Sequence, residues 1–576
     1  FMKKTALIVF VLFFSHFSGF ANIFPVNKSV LNFTQVMFEF DEFNGADTYT
    51  LTVISVDDNK QFSITKKSLA CLVSDGLHFG KKYNWYYTAQ KKGQRVFKSA
   101  TFEFTIENSI LIDTARYRYL IQQQTRGKFQ HDLIVIDNIG VAINRKGEAM
   151  WYLPTDSAGQ QKTPYRNMNF TKNGTVTFLK NASCCEKDIY GNILWQAPND
   201  GIVSGDSNEY YHHDFAKLDD GTYLTSSYQF VKRPNYYDPQ MTSRVRYNTL
   251  IQYDASGNVL WSWNEKDHVS DAEIFKQATA VDYEVAGTHL NGFDYDKKTN
   301  TIITSYRNNS TLLLIDKATG KVLNVYKGEG KHKGEEDQAG IVRFLKQHGP
   351  SFKPDGTILF YNNNVQKDDK AIAFPIIMNI RFLPDNSKPV VLWEYECKMK
   401  EHPEGWMSKE GYVSTLTNKN MLVCVGGSNK IFEVSPQKQV VWEMNCEEFI
   451  TRENKWQPFS NYRCHSVSSL YPQYFTVQNL LAGNSFKPGA YISFKINNDG
   501  TDTAEYLIEV TGNITYQDLT ASVKIAPQSA VVKTIRLPKN IAGYGEQNNN
   551  FDIKISSVIN PADSKKIVYT RSSNVH

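Results

Sequence analysis

Cysteine is scarce in this chain and poorly spaced for chemistry. The 576 residues hold seven, at 71, 184, 185, 397, 424, 446 and 464, and no C-x-x-C pair. Zinc ribbons and thioredoxin-type sites are therefore excluded. An odd number leaves at least one thiol unpaired, and a bond between the neighbours Cys184 and Cys185 would be strained. Pairing of Cys446 with Cys464 stays open. Charge of one sign is also lacking: 64 Lys and Arg face 59 Asp and Glu, for a net of +5. A balance that small argues against a dedicated nucleic-acid binder. After residue 22 there is no apolar run long enough for a membrane-spanning helix. Low-complexity stretches and helical periodicity are almost absent. No G-x-S-x-G elbow or H-E-x-x-H helix occurs. Gly320-Lys321 is not a phosphate loop, because residue 315 is Ile and Val322 follows the lysine.

Aromatic residues are plentiful, with 32 Tyr, 35 Phe and 9 Trp, and that load favours β structure. Lys3-Lys4, the apolar stretch Ala6 to Phe14 and the small-x-small Gly19-Phe20-Ala21 read as a secretory signal cut after Ala21. The expectation is an exported, periplasmic protein with no membrane insertion after cleavage. Residues 22–108 read as a β-sandwich of fibronectin type, with strand-like runs at 36–40, 49–54, 83–88 and 102–106. Residues 476–576 lose Trp altogether and read as a second β-sandwich, a packing or dimer element.

The middle repeats. An apolar-apolar-Trp triplet recurs at Trp151, Trp195, Trp261, Trp393 and Trp442, and Val322-Leu-Asn324 supplies a copy without Trp. An apolar residue before a tight turn follows most copies, at Phe170 to Gly174, Leu218 to Gly221, Phe352 to Gly356 and Leu416 to Asn420. Units of about 45–70 residues made only of strands indicate propeller blades, and six copies indicate six. The expected fold is all-β: a six-bladed β-propeller over 109–475 between the two sandwiches. Residues 126–151 are expected to supply outer strands that close the ring against 464–480.

Inward strands of a propeller line its channel, so a pocket should be built there. His213 stands eight residues before Gly221, and His348 eight before Gly356. His289 and Asn291 lie on a third inward strand, 288–296, whose partner ends in Arg307. His465 lies in the last unit. Three histidines at comparable places in three consecutive units, beside an arginine, suit a tetrahedral oxyanion such as sulfate or phosphate. A three-histidine zinc or copper site is the competing reading, and the arginine argues against it. His212 is expected on the opposite strand face, in a structural role. His78, His131, His268, His332 and His402 show no partner pattern. Lys327 to Gly334 reads as a solvated loop or a lid beside His348.

These stretches resemble the bacterial arylsulfate sulfotransferases, which work without the nucleotide sulfate donor. The matching segments are Tyr211-His-His-Asp-Phe215, His289-Leu-Asn-Gly-Phe-Asp-Tyr-Asp296, Thr301 to Asn309, and Gln347-His-Gly-Pro-Ser-Phe352. The resemblance implies sulfuryl transfer from an aryl sulfate donor to a phenolic acceptor through a sulfohistidine, with no cofactor and no metal. It implies His348 as nucleophile, with His213, His289 and Arg307 on the sulfate oxygens. Asn291 and His465 are expected to bind substrate. A homodimer is a family-level expectation. The other classes weighed are a non-enzymatic binding propeller or scaffold, a metal- or quinone-dependent oxidoreductase, and a polysaccharide hydrolase or lyase.

Overall fold

Alternating β-rich runs become strands along the whole chain. The computed structural model describes residues 23–571 except 155–162, 277, 330–341, 366–373, 383–388, 403–407, 482–484, 487–488, 513–518 and 537–549. The expected signal segment and most of the Lys327–Gly334 loop lie outside the described residues. No helix among the described residues is long and apolar enough to cross a membrane.

Residues 29–106 form a six-stranded sheet and a two-stranded sheet around one core. The strand Lys81–Lys91 alternates buried and half-exposed positions, which turns Tyr83, Trp85, Tyr87 and Ala89 inward. There Trp85 meets Phe38 edge-on at 5.2 Å and Tyr87 stacks on Phe40 at 5.0 Å.

Six sheets follow, antiparallel except where the short Glu284–Val285 strand pairs parallel with Thr242–Tyr253. The second runs through Arg166–Phe170, Val176–Lys180, Ser183–Lys187 and Ile193–Gln196. The third joins Phe215–Lys217, Tyr223–Pro234, Thr242–Tyr253 and Val259–Asn264. The fourth joins Leu290–Asp296, Thr301–Tyr306, Thr311–Asp316 and Val322–Lys327. The fifth starts at His348–Phe352 and ends at Val390–Glu396, and the sixth starts at Tyr412–Thr415. The first sheet is composite: Leu133–Ile136, Val141–Ile143 and Ala149–Tyr152 pair with Cys464–Val467 from far along the chain. Phe475–Asn479 instead pairs with Tyr491–Asn498. Only the first part of 464–480 therefore completes the first sheet.

The repeated triplet falls on the fourth strand of every sheet, and its neighbourhood fastens one sheet to the next. Trp151 Nε1 donates to the Ile189 carbonyl of the second sheet at 2.7 Å. Trp393 Nε1 donates to Pro436 of the sixth sheet at 2.9 Å. Trp442 Nε1 donates to Arg145 of the first sheet at 3.0 Å. In the third sheet the donor is Trp263, two residues after the repeat position, reaching Gly320 at 3.0 Å. Trp195 uses its face instead and stacks on Tyr223 at 3.8 Å.

The last segment forms a three-stranded and a five-stranded sheet around Phe475, Phe494, Tyr506, Phe551 and Tyr569. It meets the N-terminal unit through Lys565 to Glu39 at 2.9 Å and Ser68 to Thr476 at 3.0 Å. All seven cysteines are free thiols, so Cys446 and Cys464 are not bonded.

Replacing Trp442 with Phe keeps the ring but leaves the buried Arg145 carbonyl without its donor. The expected loss is about 1–3 kcal/mol of stability, read by denaturant unfolding. An unchanged midpoint would mean that the hydrogen bond contributes nothing to holding the sixth sheet on the first.

Candidate active site

The inner ends of four sheets meet on one carboxylate. Asp214 takes the Arg463 guanidinium in a two-pronged pair at 3.1 and 3.0 Å. It also accepts from the Asn167 amide at 2.7 Å and from the Phe293 N–H at 2.9 Å. Both charged side chains are 5% exposed, so the pair is removed from water. Asp137 similarly accepts from the N–H groups of Asn167, Tyr462 and Arg463. Asp294 accepts from Phe352 N–H at 2.7 Å, and burial pushes its carboxyl up to about 7.

His213 directly precedes Asp214 and has φ 54°, while His289 has φ 62°. Left-handed backbone at non-glycine residues costs roughly 1–3 kcal/mol and gathers at functional sites. Both residues sit just before an inner strand rather than inside it. Their Nε2 atoms lie 3.1 Å apart. His212 does not point away, as strand alternation predicts. The left-handed turn at His213 breaks that alternation and brings the two Nδ1 atoms to 2.8 Å.

The hydrogen bonds then fix the tautomers. His212 Nε2 faces the Ser227 carbonyl at 3.1 Å, which can only accept. His212 Nε2 therefore carries the proton, its Nδ1 accepts, and His213 donates from Nδ1. His213 Nε2 is left to accept from His289 Nε2–H. A neutral three-imidazole relay results, oriented by one backbone carbonyl.

His348 opens the first strand of the fifth sheet. Its Nδ1 lies 2.8 Å from the Asn363 amide and 3.4 Å from the Lys346 carbonyl. Among the described residues no group bonds its Nε2. The Asn363 amide N–H donates to Nδ1, which puts the ring proton on Nε2; a lone pair on Nε2 requires the other tautomer, with Nδ1–H given to the Lys346 carbonyl. Gln347 locks the segment in place by donating to Ser305 at 3.0 Å and to Thr311 O at 2.9 Å. Asn291 donates to the Gln347 carbonyl at 2.7 Å, and its Oδ1 is buried without a partner. Gly349 must be glycine: φ is 54°, and a Cβ would stand 2.6 Å from the Tyr412 ring.

Burial lowers the basicity of all these imidazoles, and neighbouring cations add to it. The Arg307 guanidinium is the strongest charge acting on both His289 and His348, which places it beside both. His289 is pushed down to about 4. His213 and His348 are held well below the ordinary histidine value.

The structure thus brings His213, His289, His348, Arg307 and Asn291 together. It does not bring in His465. That residue bonds Asn167 Oδ1 at 3.1 Å, and burial with the Arg463 charge pushes it down to about 3. It lines a cavity of about 410 Å³ at the opposite ends of the inner strands, beside Asn169, Lys217 and Ser466. Sequence reasoning missed His212, Arg166, Arg246, Arg463 and Tyr228. The doublet His212-His213 was visible, but strand periodicity hid its meaning. His268, which had no partner pattern, stacks on Trp263 at 4.8 Å.

A family model for arylsulfotransferase (ASST) matches residues 119–457, more than half of the chain. The chain belongs to the arylsulfotransferase family. The match includes His213, His289, Arg307 and His348 and stops short of Arg463 and His465. No curated protein matches the sequence. Among solved structures, a protein of unknown function from Bacteroides caccae is 14% identical, with 62% of this chain and 100% of that one covered and a TM-score of 0.35. An auxiliary nutrient binding protein from Bacteroides thetaiotaomicron is 9% identical, with 73% and 84% covered and a TM-score of 0.28. Likeness that slight bears on neither fold nor chemistry. Family membership implies an aryl sulfate donor and a phenol acceptor.

Two outcomes follow for this arylsulfotransferase. A histidine with a lowered value stays neutral until the pH falls through that value. The acid limb of kcat/KM should therefore lie nearer pH 4 than 6.5; a limb at 6.5 in a pH–rate profile would contradict the buried cluster. Asp214→Asn strips Arg463 of its counter-charge and should cost about 3–5 kcal/mol in denaturant unfolding.

Proposed function

We propose that this arylsulfotransferase moves a sulfuryl group from an aryl sulfate to a phenol through a sulfo intermediate on His348. The observation that carries the reading is the His348 Nε2. Among the described residues no group bonds it, in a residue that is only 3% exposed, and it is flanked by the Arg307 charge and by the His289 end of a neutral imidazole relay.

The step starts from the tautomer with the proton on Nδ1, given to the Lys346 carbonyl, and its Nε2 lone pair attacks sulfur. The N–S bond forms as the S–O bond to the aryl group breaks, and the phenolate leaves with the electron pair. By analogy with phosphoryl transfer, negative charge spreads over three equatorial oxygens. Arg307 and the remaining N–H of the Asn291 amide are the groups placed to stabilise it, while the single N–H groups of His289 and His213 are spent inside the relay. Donors fixed in a dry site need no reorganisation, and losing one typically costs about 10²–10³ in rate. In the second half the acceptor oxygen attacks the same sulfur, the N–S bond breaks, and the pair returns to Nε2. The phenolic proton is released to solvent. Two half-reactions on one imidazole give ping-pong kinetics.

The setting we propose is the channel mouth of a six-bladed propeller flanked by two β-sandwiches. The six successive sheets, the composite first sheet and the Trp442 link from sixth to first support that reading. Periplasmic export rests on residues 1–21 alone, and a homodimer on the family alone.

His348→Asn should abolish turnover of 4-nitrophenyl sulfate with a phenol acceptor. Mass spectrometry of wild-type protein mixed with donor alone should find one added sulfuryl group on His348. Full turnover in the variant, or an adduct elsewhere, would overturn the assignment.

A further inference from the structure

The sulfuryl-transfer chemistry uses one arginine, yet three stand around the histidines. Besides Arg307, the charges of Arg246 and Arg166 both act on His289. Arg246 lies on the long third-sheet strand Thr242–Tyr253, with its guanidinium 4.6 Å over the Tyr228 ring. That ring stacks on His212 at 3.7 Å. Arg166 starts the inner strand of the second sheet, 5.5 Å over the Tyr462 ring, whose centroid is 6.2 Å from His213. Two arginines from two sheets thus flank the relay on different sides, each backed by a tyrosine face.

Neither has a counter-ion among the described residues. Other arginines of the fold are paired: Arg116 with Glu448, Arg145 with Glu433, Arg233 with Asp271 and Arg463 with Asp214. Arg166 and Arg246 form no ion pair among the described residues. The Nε of Arg246 is buried and donates to nothing. Of the carboxylates nearby, Glu265 is committed to Asn248 and Thr288. Glu410 lies within reach of the Arg166 charge but does not pair with it, and burial pushes its carboxyl toward the neutral form. Arg166 is exposed and Arg246 half-buried, so water screens their charges in part, and what remains disfavours positive charge in the imidazole cluster. An anion supplied by the ligand removes that cost. The sulfate is already served by Arg307, beside His289 and His348, so a second anion on the rest of the substrate is the partner for the other two arginines. Tyr228 and Tyr462 are buried and back the two guanidinium groups.

We propose that the natural substrates are aromatic acids, aryl sulfates or phenols whose ring carries a second anionic group such as a carboxylate, held by Arg166 and Arg246. This rests on the sulfuryl-transfer reading and narrows its substrate class.

Binding, separated from turnover, tests it. In full-length His348→Asn protein, titration calorimetry compares 4-carboxyphenyl sulfate with 4-methylphenyl sulfate. The carboxylate compound should bind at least about tenfold tighter. Adding Arg166→Gln or Arg246→Gln should bring the ratio toward one, and Arg246→Lys should restore most of it, which separates charge from packing against Tyr228. A ratio near one before any arginine is changed, or a preference that survives both glutamine substitutions, overturns the inference and leaves sulfuryl transfer standing. Failure of both compounds to bind overturns the sulfuryl-transfer reading and the inference with it.

Discussion

The buried pair of Asp214 and Arg463 is the constraint on which the rest depends. One carboxylate receives a guanidinium from the first sheet, a side-chain amide from the second, and a backbone N–H from the fourth, while itself belonging to the third. Burying two charges is costly unless every lone pair is met, and here the donors converge from four directions. Because His213 is the next residue, the placement of Asp214 also places the relay. Asn167 shares the arrangement: its own φ is 49°, and its amide joins Asp214, Arg463 and His465. Asp137 and Asp294 repeat the device between other sheets, each accepting backbone N–H groups of a neighbour. A carboxylate cannot bond these groups loosely, so the strand ends around the histidines are fixed within hydrogen-bond tolerance.

That rigidity explains how imidazoles can serve next to guanidinium groups. Burial and cationic neighbours both disfavour imidazolium, so the histidines stay neutral and keep one lone pair and one N–H each. The Ser227 carbonyl then selects which nitrogen of His212 is protonated, and the choice passes through His213 to His289. His348 is oriented separately, through Lys346 and Asn363 on one nitrogen and Gln347 in the backbone. His348 and the imidazole relay thus come from different sheets, held by different anchors.

The outer edge uses another device. Indole N–H groups of Trp151, Trp263, Trp393 and Trp442 each cap a carbonyl in the following sheet. The terminal units meet each other through Lys565 and Glu39 and pack beside the first two sheets, where Trp151 and Phe170 share a core with Phe33. They leave the histidine end untouched in every hydrogen bond that defines it.

Much of this was written in the one-dimensional pattern. Strand periodicity, the tight turns and the spacing of the Trp triplet marked an all-β chain of repeated units, because those signals are local. The spacing of His213 and His348 from their turns, with His289, Asn291 and Arg307 between them, pointed to the candidate site. What periodicity could not carry was any departure from it: the left-handed turn that swings His212 into the relay, or the shift from Trp261 to Trp263. Nor could it carry pairings between residues hundreds of positions apart. Arg463 with Asp214, and Arg166 and Arg246 around one imidazole, exist only once the sheets are side by side. His465 shows the converse, a histidine with the right strand position that the inner strand carries to the other end. Sequence determined the strands, the repeat and the candidate nucleophile, since each is encoded by neighbours along the chain. Tertiary structure decided which charges are paired and which are left for a ligand, because that depends on what the fold brings close.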